Sequence, residues 1–211
     1  MLAGDGVRVV AGGGDGGRLE RTLHELCSES SGIISIGLGG ALAEGLKPGD
    51  WVVASSILAA RPDREFDTDL DWTERLLKCL PNSPVGPIAG SDVMVADAAA
   101  KAALHASTGA LAVDMESHIA ARVAASHGLP FAAARTISDA ADRALPRAAQ
   151  AGMRPDGGMD VAAVLAALAR RPWELPALIR TAIEAEAAFR ALLRGRQLLG
   201  GALMGPGTDL G

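Results

Sequence analysis

Residues 113–139 read VDMESHIAARVAASHGLPFAAARTISD, and this stretch decides the fold. Two apolar runs each close in acidic residues, and between them apolar residues recur at helical spacing until Gly128 and Pro130 stop the helix. The pattern predicts a strand, a helix and a second strand. Ligands of open α/β sheets lie at the carboxyl ends of the strands, so Glu116 and Asp139 are predicted to belong to a site.

The alternation of strands and helices extends over most of the chain. Strands are predicted at residues 7–11, 33–36, 51–57, 85–89 and 110–113. Helices are predicted at residues 18–27, 71–80, 97–106, 160–169 and 173–193, the last with its apolar residues mainly on one face. The result is a three-layer α/β/α fold with a mostly parallel or mixed central sheet. Residues 1–200 are predicted to form one domain, and residues 201–211 a flexible tail.

Composition excludes several classes of protein. The chain has 211 residues, 49% of them hydrophobic, and a net charge of −5 without a basic run, which argues against nucleic acid as a partner. Two cysteines and the absence of a signal peptide predict a cytoplasmic protein. No apolar run is long enough to span a membrane. The four histidines lack metal-binding spacing, so no metal is expected.

The block from Val113 to Asp142 closely resembles the purine nucleoside phosphorylase and nucleosidase superfamily, especially its methylthioadenosine/adenosylhomocysteine nucleosidase branch. The resemblance extends upstream through residues 37–42 and 47–53. Downstream, residues 171–178 and 192–200 are similar to the hopanoid-associated phosphorylases. The resemblance implies cleavage of a purine nucleoside without a cofactor, by a homodimer or larger homo-oligomer. The subgroup implies a lipid-linked substrate, adenosylhopane, from which adenine is released.

The resemblance implies distinct roles for the two acids. Asp139 matches the acid that protonates the departing purine at N7, and Glu116 matches the ribose ligand that accepts hydrogen bonds from the 2′ and 3′ hydroxyls. Sequence context alone leaves simpler alternatives open. Asp139 also suits a helix or turn cap, and Glu116 an acid stabilised at a helix N-terminus.

Other residues match supporting positions of the same family. Met115 would pack on the sugar, although a methionine at a strand end is also a common core residue. Met94 stands where the family has an aromatic residue against the purine, and Val95 would contact the base through its backbone. Ser138 would contact the base and, with Arg135, support the Asp139 turn.

A glycine cluster, Gly37-Leu38-Gly39-Gly40, is predicted to turn after the strand 33–36, with the backbone of Gly37 and Gly39 facing the ligand. Family members that use phosphate have an arginine and a hydroxyl residue where this chain has Ser35 and Leu38. A phosphate dianion needs strong donors, so water is favoured as the attacking group.

The water-activating residue is missing from this assignment. In the family a glutamate follows the first strand. Because Val7–Ala11 resembles the second strand, we expect the first to be absent from this chain, and no residue receives that role. A second hypothesis uses Gly12-x-Gly14-x-x-Gly17 as the loop of a non-catalytic nucleoside- or dinucleotide-binding module. Against it, strand 33–36 does not end in the acid that a dinucleotide ribose requires. The favoured interpretation of these glycines is a tight turn with close backbone approach to a ligand or a neighbouring strand, and a purely structural turn explains them equally well. The arginines of the last helix are either a solvated face or a peripheral contact with an anionic membrane.

Overall fold

A computed structural model describes residues 6–12, 15–60, 63–152 and 160–203. The strands are β1 (Ile33–Ala41), β2 (Trp51–Ala60), β3 (Asp63–Asp67), β4 (Val85–Gly90), β5 (Ala112–Asp114) and β6 (Phe131–Asp139). The α-helices are α1 (Gly16–Leu26), α2 (Leu70–Cys79), α3 (Ala98–Thr108), α4 (Ser117–Ser126), α5 (Arg147–Gly152), α6 (Val161–Arg170) and α7 (Leu175–Leu199). Short 3-10 turns cover Cys27–Glu29, Pro172–Glu174 and Gly200–Leu203.

The strands form one mixed sheet in the order β3-β2-β4-β5-β1-β6, and β2 also pairs with β6. Because of that extra pairing, β1, β6, β2, β4 and β5 form a closed ring of neighbours. The pairs β1–β6, β2–β4 and β4–β5 are parallel, and the pairs β2–β3, β2–β6 and β1–β5 are antiparallel. The predicted α/β fold with a mixed central sheet and helices around it is confirmed.

Small side chains in β6 let the layers approach closely. Eight of its nine residues are buried, Ser138 being half-buried, as expected for a strand covered on both faces. The alanines 132–134 are fully buried. Helix α4 adds Ala120, Ala121, Val123 and Ala124 to the main core cluster, so the strand-helix-strand unit predicted from residues 113–139 forms the centre of the molecule.

Helix α7 packs differently from its prediction. Its buried residues are small, Ala188 and Ala191, with Leu199 at its end, and Gly195 lies so close to Trp51 that a Cβ there would be 2.2 Å from the indole. The larger apolar residues remain exposed: Leu175, Ile179, Ile183, Phe189 and Leu193. Small residues permit the close approach, which leaves the large ones outside the contact. Arginines 180 and 190 pair with glutamates one turn away.

Two local predictions were wrong. Val7–Ala11 is not a continuous strand, because only Val7 forms an isolated bridge and Val9 is 46% exposed. The glycine cluster 37–40 is not a turn, because β1 runs through it to Ala41 while pairing with β6. Of the predicted tail, residues 201–203 belong to the last 3-10 turn and Leu203 packs on the core, whereas residues 204–211 lie outside the described residues. No helix in the described ranges is long and apolar enough to cross a membrane.

Candidate active site

The strand ends that carry the predicted site residues meet at Gly40. This glycine pairs with Val113 of β5 on one side and with Asp139 of β6 on the other. On the far side of β5, Asp114 pairs with Gly90 at the end of β4, and the carbonyl oxygen of Asp114 accepts a 2.9 Å hydrogen bond from the amide of Ser91. The sheet therefore brings together the segments that carry Asp139, Glu116 and Met94.

Asp139 ends β6 directly after an irregularity in the pairing. The register passes from Gly39–Ile137 to Gly40–Asp139, so Ser138 is an extra residue, a bulge of the kind that re-aims side chains beside functional sites. The carboxylate is buried, and the Ser138 hydroxyl lies 2.6 Å from its Oδ1 and 3.2 Å from the carbonyl oxygen of Gly39. A Cβ on Gly40 would lie 3.2 Å from Oδ2, so the glycine leaves room for this carboxylate.

Lys101 is the residue near Asp139 that the sequence did not reveal. It projects from α3, is 0% exposed, and its ammonium donates to Asp139 Oδ2 and to the carbonyl oxygens of Ala140 (2.9 Å) and Arg143 (3.0 Å). The three protons of the ammonium thus have three acceptors. No helix starts at Asp139, so the alternative of a helix cap is not observed there.

Arg135 makes a buried ion pair with Asp114. Its Nε donates to Asp114 Oδ2 at 2.8 Å, and one Nη2 proton goes to the same oxygen. The remaining donors reach the Ser35 hydroxyl and carbonyl, both at 2.7 Å, and the carbonyl of Ala134 at 2.8 Å. All five guanidinium donors are therefore used. These contacts support the segment that carries Glu116, rather than the Asp139 turn for which Arg135 is predicted.

Glu116 occupies the N-cap position of α4, but its side chain makes no capping hydrogen bond. Asp114 caps the helix instead, because its Oδ2 accepts a 2.9 Å hydrogen bond from the amide of Ser117. The Glu116 side chain faces Gly12: a Cβ there would lie 2.7 Å from Glu116 Cγ and 2.8 Å from Oε1. Met115, predicted to contact the sugar, is half-buried beside it.

A cavity of about 580 Å³ opens on the Glu116 side of the sheet. Its polar wall includes Glu116, Arg135 and Ser35, and its apolar wall includes Leu19, Leu23, Leu26, Ile33 and Ile36. The volume is within the range of small-molecule sites. Asp139 is not among the lining residues, so the cavity extends from the Glu116 part of the site. Burial raises the pKa of the Cys27 thiol in its wall, which keeps that thiol protonated and poorly reactive.

The predicted base-binding residues follow β4. Met94 and Val95 are half-buried, and Val95 packs against the core cluster that contains Leu42, Ala89 and Val113. The preceding turn is fixed by Ser91, whose hydroxyl donates to the carbonyl of Val93 at 2.7 Å. In the part of the chain that the structure describes, no group of three or more metal-ligating side chains is placed to hold a metal ion.

Replacing Gly12 with alanine tests the role that the resemblance implies for Glu116: kcat/KM for purine nucleosides should fall without loss of stability. The new Cβ would stand 2.7 Å from Glu116 Cγ, so the flexible glutamate must move. Displacing a charged hydrogen-bonding group costs about 1.5–3 kcal/mol, or roughly 10- to 100-fold in kcat/KM. Steady-state kinetics check this, with Gly17→Ala as the control, because a Cβ there is 3.5 Å or more from its neighbours. Equal effects of the two variants would contradict the expectation.

Comparisons with known proteins find a matching family model and several solved structures that are similar to the chain. The family model described as the phosphorylase superfamily matches residues 3–170. Among solved structures, the chain is similar to the S-adenosylhomocysteine nucleosidase of Streptococcus pyogenes in complex with 5-methylthiotubericidin, with 28% identity and a TM-score of 0.53 over 58% of this chain and 62% of that one. No curated protein matches the chain.

Two further structures share the fold. A futalosine hydrolase mutant of Helicobacter pylori is 20% identical with a TM-score of 0.51, over 56% of this chain and 63% of that one. The 5′-methylthioadenosine/S-adenosylhomocysteine nucleosidase of Helicobacter pylori is 17% identical with a TM-score of 0.62, over 87% and 73%. The chain thus spans less than two thirds of the length of the Streptococcus pyogenes nucleosidase and the futalosine hydrolase.

Proposed function

The chain belongs to the phosphorylase superfamily, and on that basis we propose that it cleaves the N-glycosidic bond of a purine nucleoside, with water favoured as the acceptor. The observation that carries the proposal is the pairing of Gly40 with both Val113 and Asp139. It sets a buried carboxylate beside the segment that leads to a second one, Glu116. One acid can then protonate the departing base while the other holds the ribose, the two roles that the family resemblance implies.

Asp139 is the general acid in this proposal. As the bond between C1′ and N9 breaks, its electron pair goes to the purine, and a proton from the Asp139 carboxyl group neutralises the base at N7. Ser138 holds one oxygen of that carboxyl group at 2.6 Å. Glu116 accepts hydrogen bonds from the 2′ and 3′ hydroxyls, each contributing about 1.5–3 kcal/mol. Its negative charge also favours the oxocarbenium-like sugar.

The surroundings of Ser35 and Arg135 support water rather than phosphate as the acceptor of the ribosyl group. Ser35 stands where phosphate-using members have an arginine, and its hydroxyl accepts a hydrogen bond from Arg135. The guanidinium of Arg135 has its five donors committed to Asp114, Ser35 and Ala134. A phosphate dianion at Gly37–Gly40 would have to displace those contacts to gain a bidentate partner.

The dinucleotide-binding hypothesis has less support than nucleoside cleavage. Asp15 caps α1, where its carboxylate accepts a 2.9 Å hydrogen bond from the amide of Arg18. A pyrophosphate at that helix N-terminus would meet this negative charge. Gly12 lies against Glu116, and Gly14 lies outside the described residues, so the complete motif has no described geometry.

The apolar wall of the cavity supports an apolar substituent on the nucleoside. Leucine and isoleucine side chains line it next to Glu116, the proposed ribose ligand. Together with the resemblance to the hopanoid-associated subgroup, this wall favours a lipid-linked nucleoside such as adenosylhopane. The exposed apolar residues of α7 support assembly into a homodimer or larger homo-oligomer, because apolar area of this kind is commonly covered in assemblies.

The activity itself is tested by incubating the protein with adenosine and 5′-substituted adenosines, with and without inorganic phosphate. Released base is followed by chromatography. We expect free adenine and free pentose in both conditions. Strict phosphate dependence would assign a phosphorylase, and no base release from any nucleoside would reject the proposed function.

Replacing Glu116 with glutamine should reduce kcat/KM for adenosine by roughly 10- to 100-fold, since a neutral amide accepts less strongly from the two hydroxyls. The same substitution should matter less for 2′-deoxyadenosine, which has lost one of those hydroxyls. Kinetics with both substrates and both proteins form a cycle that isolates the contact. Additive losses would show that Glu116 does not touch the 2′ hydroxyl.

A further inference from the structure

We propose that Lys101 is a positioning residue for leaving-group protonation, because its buried ammonium stabilises the carboxylate that Asp139 becomes when its proton moves to the departing purine. This inference rests on the proposed function and extends it to a residue on a different element. Helix α3, rather than the strand ends, supplies the cation that lies against the acid.

The surroundings of Lys101 motivate the inference. The side chain is 0% exposed, and its ammonium contacts Asp139 at the end of β6 and the carbonyl oxygens of Ala140 and Arg143 in the loop that follows. Removing an ammonium ion from water costs several kcal/mol, which only a charged and hydrogen-bonded environment offsets. A buried lysine is therefore an expensive way to hold a loop in place.

A purely structural tie between α3 and this loop already exists. The amide of Leu145 donates to the carbonyl of Ala96, just before α3, at 2.8 Å. Two carbonyl groups of the loop could be satisfied by neutral donors. What a neutral residue would not supply is a positive charge against the Asp139 carboxylate.

The proposed step balances as follows. The bond between C1′ and N9 breaks and leaves its electron pair on the purine, while the Asp139 carboxyl proton bonds to N7. Asp139 becomes a carboxylate, and Lys101 keeps its three protons and stabilises the new negative charge. Water then adds to C1′ and releases one proton to solvent, and solvent returns one proton to Asp139. The base and the free sugar leave.

The test compares two leaving groups in the same enzyme. Adenine needs a proton to depart, whereas 4-nitrophenolate departs without one. In Lys101→Met we expect kcat for adenosine to fall about 10- to 100-fold, a part of the 10²- to 10⁴-fold that general acids contribute. Release of 4-nitrophenolate from 4-nitrophenyl β-D-riboside should change less than about twofold, because no proton is transferred to it. Lys101→Gln, which keeps hydrogen-bond donors but lacks the charge, should show the same selective loss.

Lys78→Met is the matched control, because Lys78 is exposed on α2 and its loss should leave both rates unchanged. Thermal melting identifies which variants are folded, and Lys101→Gln carries the test if the methionine variant is not. Equal loss on both substrates in a folded variant, or no loss on adenosine, overturns the inference and leaves the proposed function standing. A wild-type protein inactive on both substrates rejects the proposed function and this inference with it.

Discussion

Replacing Asp139 with asparagine is expected to lower kcat for purine nucleosides by about 10²- to 10⁴-fold, the contribution of a general acid. The amide has nearly the shape of the carboxyl group but cannot give up a proton to N7. Its carbonyl oxygen can still accept from Lys101, and Ser138 remains within reach of the side chain. The loss should therefore fall on the chemical step, with KM changing little.

Single-turnover measurement of adenine release separates this effect from product release. The control is Asp142→Asn, three residues along the same loop, whose side chain is 76% exposed. We expect that variant to retain wild-type rates. Unchanged adenine release in Asp139→Asn would remove Asp139 from the mechanism, whatever the activity of the control.

Replacing Arg135 with methionine is expected to reduce the free energy of unfolding by about 3–5 kcal/mol. The side chain of Arg135 is 2% exposed and that of Asp114 is 1% exposed, so loss of the guanidinium leaves the negative charge of Asp114 buried without its cation. Ser35 and Ala134 also lose donors. This would be the largest stability effect among the substitutions considered.

Urea unfolding measures the change, with the slope m expected to stay constant. Arg190→Met is the matched control, because its ion pair with Glu186 is exposed and should contribute at most about 1 kcal/mol. Adding Asp114→Asn to Arg135→Met should recover part of the loss, since it removes the unpaired charge. Strictly additive losses would mean that the two side chains are not energetically coupled.

Local patterns predicted the centre of the fold well. Helix α4 covers Ser117–Ser126, between apolar runs that form β5 and β6, and Asp139 ends β6 as expected. These predictions succeeded because periodicity and stop signals act within a few residues. The turn predicted at the glycine cluster 37–40 was wrong because it, too, relied on a local signal. Glycine permits a turn, but here it permits close approach: a Cβ on Gly39 would lie 2.9 Å from the carbonyl oxygen of Val113.

The missed features depend on contacts between distant residues. Lys101 stands in an alanine-rich helix, where a lysine is normally solvated, and only the position of α3 against the loop after β6 shows that it is buried. The approach of Gly12 to Glu116 joins residues far apart in the chain. In helix α7 the local pattern was present but misleading. Its large apolar residues recur at helical spacing, yet its small residues are the ones that pack against the rest of the protein.

The ring of strand pairings also bears on how the protein reaches its native state. Strand β6 is the last of the described strands, and it pairs with both β1 and β2, far earlier in the chain. The long segments between β6 and its two partners must close into loops before the β1–β6 or β2–β6 pair forms. Such long-range pairing makes nucleation of folding slow and strongly cooperative. Asp139 is the final residue of β6, so ring closure and assembly of the two acids would be one kinetic event. During synthesis, a nascent chain whose β6 is still inside the ribosome would contain Glu116 but would lack Asp139 and therefore the complete site.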